Sequence, residues 1–246
     1  MSQRHCHLLV AALLVLAGPS IVQATPIVSV SAEGLASATA AESAFLSGLD
    51  VSVTESFEGF TPVFKATTLS TSVGSFQQIV KGNDISNCIT PPVSGCTGLV
   101  VLNASESPFA GRFATDGAHW LDSNDSKTMT FEGATPWTSI GFYLTDPNDA
   151  GATINLKGFD GSGTEVLSTI LFPSSLPNGN VYYVSIFAEE GLKSLTFYSD
   201  AGGGNDGFGL DNFTVGNVAS TVPEPGSMLL LGAGLLGLAA FRRRSL

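Results

Sequence analysis

Hydrophobic and polar positions alternate in short runs along most of the chain, and turn-forming residues separate the runs. Runs of β-branched and aromatic residues bounded by Gly, Asn, Asp and Pro predict strands. The predicted strands are Ser52–Phe57, Gly98–Leu102, Lys127–Phe131, Ser139–Leu144, Ala152–Phe159, Glu165–Leu171, Tyr182–Ala188, Lys193–Ser199 and Phe208–Val215. An Ala-rich stretch over Ala36–Ser47 predicts one short helix ahead of them. Recurrent short strands of this kind predict an all-β fold, an antiparallel two-sheet sandwich of jelly-roll type.

The N-terminus departs from this pattern. Arg4 is followed by the apolar run Leu8–Ala17, and small residues stand at Val22 and Ala24. This order predicts a secretory signal peptide, helical before removal, with the mature chain starting near Thr25. An uncleaved N-terminal anchor is the alternative.

The C-terminus is the second departure. Met228–Phe241 carries no charge, and Arg242, Arg243 and Arg244 follow it at once. As a helix this segment extends about 22 Å, against a hydrocarbon thickness of roughly 30 Å, and the arginines hold its end on the cytoplasmic side. The pattern predicts a single hydrophobic helix, either a permanent tail anchor or a temporary one. The chain therefore divides into 1–24, a body over 25–221, and a terminal segment over 222–246.

The terminal segment also resembles a known family of sorting signals. Val222, Pro223, Glu224 and Pro225, then the apolar helix and the arginine cluster, resemble the PEP-CTERM sorting domain. The resemblance implies that Pro-Glu-Pro is recognised by an exosortase, a membrane-embedded cysteine transpeptidase, after export through the Sec translocon. It further implies transient insertion in the inner membrane of a Gram-negative bacterium that makes exopolysaccharide, followed by release to the cell surface or the extracellular matrix.

Charge limits the partners of the body. Residues 25–221 contain twenty acidic and six basic side chains, so their formal charge is −14. A strongly acidic domain repels phosphate backbones and anionic lipid surfaces. We therefore expect no nucleic-acid partner.

The cysteines agree with export. Cys6 leaves with the signal peptide, and Cys88 and Cys96 remain as a pair. An even pair in an exported chain predicts a disulfide. Closing so small a loop stabilises the fold by roughly 2.5 kcal/mol in the chain-entropy model. A metal pair or a catalytic thiol is the alternative.

Two pieces of the body resemble a second group of proteins. Phe57-Glu58-Gly59-Phe60 near the start and the segment 206–213 at the end resemble noncatalytic carbohydrate-binding sandwiches, in which an early Glu and a late Asp share a structural calcium. Carboxylate and amide oxygens are the ligands that Ca²⁺ prefers. The candidate ligands are Glu58, Asp206, Asp211 and Asn212. The oxygen-rich segments 122–125 and 146–151 are further candidates, although Asp and Asn also form turns with their own backbone.

The sequence contains few catalytic signals. Gly-x-Ser-x-Gly and His-Glu-x-x-His do not occur, and His119 is the one histidine left after signal removal. A triad would need His119, and a paired-carboxylate glycosidase needs a distance that a sequence does not give. The candidate sugar-stacking aromatics are Trp120, Trp137, Tyr143, Tyr182, Tyr183 and Tyr198. We expect Trp120 and Trp137 to be the exposed ones, because both lie near polar turns.

These observations, with the two resemblances, predict an exported, noncatalytic protein of the cell surface or biofilm matrix that associates with extracellular polysaccharide. Two other classes stay open. One is a secreted hydrolase of glycans or esters, and the other is a structural adhesion protein that binds other proteins.

Overall fold

A computed structural model describes residues 24–83, 96–200 and 206–218. The signal peptide, the terminal segment and Cys88 lie outside these ranges. The described elements are β1 Ile27–Val30, α1 Leu35–Ser47, β2 Leu49–Glu55, β3 Phe64–Ala66, β4 Thr68–Ser70, β5 Gly74–Val80, β6 Leu99–Asn103, β7 His119–Asp122, β8 Thr128–Thr145, β9 Thr153–Phe159, β10 Glu165–Phe172, β11 Val181–Asp200 and β12 Gly209–Val218.

The strands form two layers that share their longest members. In what we call the first sheet, the order is β4, β5, the first half of β8, the second half of β11, β9 and β10. In the second sheet, the order is β1, the first half of β11, the second half of β8 and β12. The start of β12 also pairs with β7, and the rest of β12 pairs with β2. Beyond β7 lie β6 and then β3. Every pairing described is antiparallel.

The strands β8 and β11 cross from one sheet to the other, and a bend in each makes this possible. The register between them shifts from the Phe187 pairing to those of Leu192 and Ser194. Gly191 has a φ of 78°, a left-handed value that glycine adopts without strain. It lies against Pro136 at the corresponding bend of β8. The two sheets are therefore joined along one side and folded face to face.

Aromatic side chains from both inner faces fill the space between the sheets. Phe213 of the second sheet contacts Phe131 and Phe76 of the first, with ring centroids 4.5 and 5.0 Å apart. Phe142 and Phe197 meet edge to face at 5.4 Å. All five rings are buried. Offset and edge-to-face ring pairs stabilise a fold by more than their buried area alone, so these phenylalanine contacts help to hold the two sheets together.

Helix α1 covers the outer face of the second sheet. Ala38 packs with the buried rings of Tyr143 and Tyr183, and Phe45 lies 5.8 Å from Tyr183. The Tyr143 hydroxyl donates a hydrogen bond to Glu42 Oε2 at 2.7 Å. The helix approaches closely because Gly141 beneath it carries no side chain.

The predicted all-β sandwich and the predicted helix are confirmed. Two pairs of predicted strands, however, are single continuous strands, β8 and β11. The strands β1, β3, β4, β5 and β7 were not predicted. Four of them have only three or four residues with an irregular pattern, and β5 begins with the polar run Gly74–Gln78 apart from Phe76. Short segments of this composition pair because a neighbouring strand edge is present, which local sequence does not encode.

The described elements do not test the two helices predicted near the ends of the chain or the predicted disulfide. No helix in 24–83, 96–200 or 206–218 is long and apolar enough to cross a bilayer. The predicted signal helix and hydrophobic tail helix lie outside the described residues. Cys96 is buried, and its expected partner Cys88 is outside them too, so the disulfide stays a prediction.

Candidate functional site

The outer face of the first sheet carries a grid of polar side chains around one tyrosine. We call it the Tyr198 face. Side chains two apart on a strand share a face, and cross-strand partners lie side by side. Its three rows are Ile170, Asn155, Tyr198 and Thr128; Ser168, Lys157, Thr196, Thr130 and Gln77; and Glu165, Phe159, Ser194, Glu132 and Ser75.

The strand pattern that builds this face also builds the core. On β11, Leu195 and Phe197 pack into the core, so Thr196 and Tyr198 lie on the opposite face, where neighbouring side chains leave Thr196 only 7% exposed. Gln77 and Ser168 at the sides of the grid are exposed, and Tyr198 itself is half-buried. The ring is held in the sheet while part of its surface stays open to solvent.

Polar contacts fix the side chains next to Tyr198. Lys157 Nζ lies 2.9 Å from Glu165 Oε2 and 5.9 Å from the centre of the Tyr198 ring. The hydrogen bond to Glu165 raises the pKa of Lys157, so its ammonium stays charged at neutral pH. The hydroxyls of Thr130 and Thr196 are hydrogen-bonded to each other at 3.0 Å. An aromatic ring flanked by ammonium, carboxylate and hydroxyl groups matches the mixed apolar and hydroxyl surface of a sugar.

The two tryptophans do not lie on this face. Trp120 is 1% exposed, and its Nε1 points to Asp122 Oδ2 at 3.4 Å, so the expectation that it is exposed is wrong. It follows a polar turn but stands in β7, where its side chain points into a small apolar cluster with Val100 and Leu102. Trp137 is half-buried and packs on the main core at the bend of β8.

The other tyrosine candidates are core residues. Tyr143, Tyr182 and Tyr183 are each less than a tenth exposed. Tyr143 and Tyr183 stack edge to face under helix α1, at 5.1 Å. Of the six aromatic candidates in the sequence, Tyr198 is therefore the one on an open polar sheet face.

The predicted calcium ligands Glu58 and Asp211 hold one loop through its backbone amides. Glu58 Oε1 accepts hydrogen bonds from the amides of Ala118 and His119 at 2.7 and 2.6 Å. Asp211 Oδ2 accepts from the amide and hydroxyl of Thr115, at 2.6 and 2.9 Å. The expected closeness of the early and late strands is real, since β2 pairs with β12.

The other two predicted ligands contact different parts of the chain. Asp206 Oδ2 accepts hydrogen bonds from the amides of Ala150 and Ala152. Asn212 Nδ2 donates to Glu42 Oε1 of helix α1 at 3.2 Å. Within the described ranges, no group of three or more His, Cys, Asp or Glu side chains is arranged to hold a metal. A calcium ion shared by these four residues stays a prediction without a described cluster behind it.

The one histidine of the body stands beside an acid. His119 Nδ1 lies 3.6 Å from Glu58 Oε2, and Glu58 also bonds the His119 amide. No hydrogen bond joins the His119 side chain to a hydroxyl group among the described residues. This pair therefore has an acid and a base but no described nucleophile.

A buried ionic cluster was missed by the sequence analysis. Arg112 bonds Asp122 at 3.0 Å and Asp125 at 2.8 Å, and its guanidinium lies 4.2 Å above the Phe109 ring. Burial lowers the pKa of Arg112, but the surrounding carboxylates outweigh that effect and raise it. Burial raises the pKa of Asp122 despite the arginine. An arginine ten residues from its partners gives no local signal, and its burial makes a structural role the simplest account.

Comparison with solved structures finds adhesin and carbohydrate-binding domains. The K2 cleaved adhesin domain of Lys-gingipain is 14% identical, with a TM-score of 0.41 over 67% of this chain and 99% of that domain. A family 29 carbohydrate-binding module variant is 12% identical, with a TM-score of 0.29 over 71% and 99%. The xylan-binding domain CBM22-1 of Paenibacillus barcinonensis Xyn10C is 15% identical, with a TM-score of 0.29 over 48% and 80%. These likenesses are distant.

Sequence comparison finds a family match at the C-terminus. No curated protein matches the chain. Residues 221–244 match the PEP-CTERM protein-sorting motif, which confirms the resemblance of the terminal segment and marks the chain as an exported protein sorted by an exosortase.

Proposed function

We propose that this chain is a noncatalytic, polysaccharide-binding protein of the cell surface or biofilm matrix of a Gram-negative bacterium. Its signal peptide takes it through the Sec translocon, and the terminal segment holds it briefly in the inner membrane. An exosortase then acts at Pro223–Pro225 and releases the body. The body binds exopolysaccharide through the Tyr198 face.

The observation that carries the binding proposal is the position of Tyr198. A tyrosine in a strand is usually a core residue, yet this one lies in an end row of an open polar sheet face. Asn155 is its cross-strand neighbour, and Lys157, whose Nζ is paired with Glu165, lies 5.9 Å from the centre of its ring, so donors and acceptors are both nearby. A flat face of this kind binds the side of a chain molecule over several residues, without a deep cavity.

Charge selects the class of polysaccharide. The body is strongly acidic, so long-range repulsion disfavours uronate-rich and sulfated polymers. On the face itself, the one ammonium, Lys157, is already paired with Glu165. We therefore infer a neutral polysaccharide as the ligand.

The test is retention of the purified protein in gels that contain polysaccharide. A panel of neutral and anionic polymers, including the host's own exopolysaccharide, is compared with a polymer-free gel. Tyr198→Ala should weaken binding to the neutral polymer by about five- to tenfold, since loss of one aromatic contact costs about 1 kcal/mol. Phe187→Ala is the matched control, because Phe187 is 36% exposed on a strand of the second sheet.

Equal retention of wild type and Tyr198→Ala would place the binding surface elsewhere and contradict the proposal. Retention in anionic but not neutral polymers would contradict the charge argument. Release of reducing ends from any polymer of the panel, abolished in His119→Ala or Glu58→Gln, would instead support the hydrolase class.

A further inference from the structure

An apolar groove of about 300 Å³ lies between the end of helix α1 and the outer face of the second sheet. Its walls include the apolar side chains of Ile27, Phe45, Leu49, Phe187 and Val218. Ile27 and Phe187 are cross-strand partners on β1 and β11. Their side chains are 61% and 36% exposed, so apolar surface lies open to solvent along this groove.

Small polar residues form the floor of the groove. Ser29 and Ser185 are cross-strand partners, and Ser139 lies on the neighbouring strand β8. Ser139 is only 2% exposed, yet no hydrogen bond within the described ranges involves any of these three hydroxyls. Buried hydroxyls favour an occupant with hydrogen-bond acceptors. A peptide segment carries a carbonyl at each residue, whereas the hydrocarbon chain of a lipid carries none.

The described part of the chain ends at this groove. Val218, which lines it, is the last residue of β12 and the last described residue. Residues 219–246 follow, and their apolar run is Met228–Phe241. The connection 219–227 extends at most about 30 Å, so the run is within reach of the groove.

The composition of the run matches the groove. Leucines predominate in it and suit the apolar walls. Gly232, Gly234 and Gly237 carry no side chain, so the backbone is able to come close to the serine hydroxyls of the floor. The same run thus offers both apolar side chains and accessible carbonyls.

The charges next to the groove and next to the run are opposite. The exposed acids Asp50, Glu189 and Glu190 stand one to three positions from side chains that line the groove. None of the three forms an ion pair within the described ranges. The run is followed at once by Arg242–Arg244, and unlike charges at the edge of an interface favour one orientation of the partner.

From this placement we propose that the terminal segment of the uncleaved chain docks on its own body. The run Met228–Phe241 binds in the groove, and Arg242–Arg244 lie toward the exposed acids beside it. Docking buries the run when no bilayer is present. The groove and the bilayer compete for the same run, so a membrane shifts the population toward the undocked form.

Cleavage near Pro223–Pro225 would remove the occupant and leave the groove open in the released body. This last step rests on the proposed action of an exosortase. The docking itself does not, and it does not involve the Tyr198 face on the other sheet.

The experiment is photo-cross-linking of the full chain, made by cell-free synthesis without lipid or detergent. A benzoylphenylalanine at position 187 replaces Phe187 and keeps an aromatic ring in the groove. Irradiation should join it to a peptide from 228–241 of the same molecule, as identified by mass spectrometry. A second probe at Ile27 should give the same product. Ile170 is the control position, because it is 53% exposed on the first sheet, and it should give no such product.

Two changes of condition test the physical basis of docking. Phosphatidylcholine vesicles should reduce the cross-link at position 187, because the run then enters the bilayer. Glu190→Lys should reduce it about two- to fivefold, since an exposed attraction becomes a repulsion. Glu106→Lys is the matched control, because Glu106 is an exposed acid on the loop after β6.

The absence of a cross-link from both groove positions would overturn the proposal. So would a cross-link to Leu8–Ala17, or one that joins two chains, since each would assign a different occupant to the groove. Unchanged yields with vesicles and in Glu190→Lys would contradict the competition and the charge argument. Failure of exosortase cleavage in the host would leave all these cross-links in place, so the two proposals fail separately.

Discussion

At the scale of single residues, the buried carboxylates of this protein mainly organise backbone. Glu58 and Asp211 hold the loop 115–119, and Asp206 holds the loop 150–152. In a sequence, an acid that accepts amide hydrogens looks the same as an acid that binds a cation, because both need a carboxylate next to a turn. Only the positions of the amides separate the two roles.

Asp211 should make the stability of the body depend on pH in an unusual direction. Burial raises its pKa to about 6, although the amides of Thr115 and Asp116 lower it. An aspartate in the unfolded chain titrates near about 4. Between these values the folded state binds a proton that the unfolded state has lost, so the contribution of Asp211 to the free energy of unfolding falls as pH rises from about 4 to about 6.

Urea unfolding at a series of pH values measures this contribution. The decline between pH 4 and 6 should be shallower in Asp211→Asn than in wild type, because the variant has no proton to lose there. Asp50→Asn, with its exposed side chain, should follow the wild-type slope. An unchanged slope in Asp211→Asn would show that the hydrogen bonds to this carboxylate outweigh its burial.

At the scale of elements, the fold depends on close approaches that only small residues permit. The two bends that carry β8 and β11 between the sheets meet where Gly191 lies against Pro136. Helix α1 rests on the second sheet over Gly141. A glycine in the middle of a strand usually weakens it, so its presence here marks a place where another element comes near.

Gly141→Ala should push helix α1 away from the sheet. An added Cβ at this position would lie 2.6 Å from the Phe45 ring, so the ring and the helix that carries it must shift. Overpacking of this kind costs about 1–3 kcal/mol. Thermal unfolding should show the loss, and limited proteolysis should cut within α1 sooner than in wild type.

Gly59→Ala is the matched control for that experiment. An added Cβ at Gly59 meets no atom within 4 Å, and the residue is exposed. It should unfold at the wild-type temperature. A Gly141→Ala protein equally stable and equally resistant to proteolysis would mean that the helix is only loosely seated.

At the scale of the whole molecule, the chain combines a folded body with a C-terminal sorting segment. The PEP-CTERM motif over 221–244 marks the chain for export and sorting. The body ends its last described strand at Val218, close before the motif begins. A cut near Pro223–Pro225 would therefore leave every described element of the sandwich in the released protein.

Mass spectrometry of protein recovered from the native host's surface tests this arrangement. The released body should lack Arg242–Arg244 and should begin near Thr25. Glu224→Ala should leave the tail attached and keep the protein in the membrane fraction.

The same spectrum before and after reduction tests the Cys88–Cys96 disulfide, which lowers the mass by the two thiol hydrogens.

A host strain without exosortase provides the control, since its wild-type protein should match the Glu224→Ala protein. Surface material that still carries its arginine terminus would contradict sorting by cleavage. It would favour the permanent tail anchor that the apolar run also allows.

Several features of this protein depend only on residues that are close together in the chain, and the sequence alone was sufficient to predict those features. The sorting motif is a contiguous pattern recognised as a chain segment, so no tertiary contact is needed to identify it. The long strands and helix α1 were predictable because alternation and Ala content act within one element. The acidic charge is a simple sum over residues.

Tertiary structure decided the rest, because those features depend on pairs of residues far apart in the chain. Trp120 and Tyr198 both stand in strands, and only the packing of the sheets buried the first and left the second on an open face. The ion pairs of Arg112 form only because the fold brings Asp122 and Asp125 next to its guanidinium group. Asp206 accepts hydrogen bonds from the amides of Ala150 and Ala152, more than fifty positions earlier in the chain, a contact that no local pattern contains.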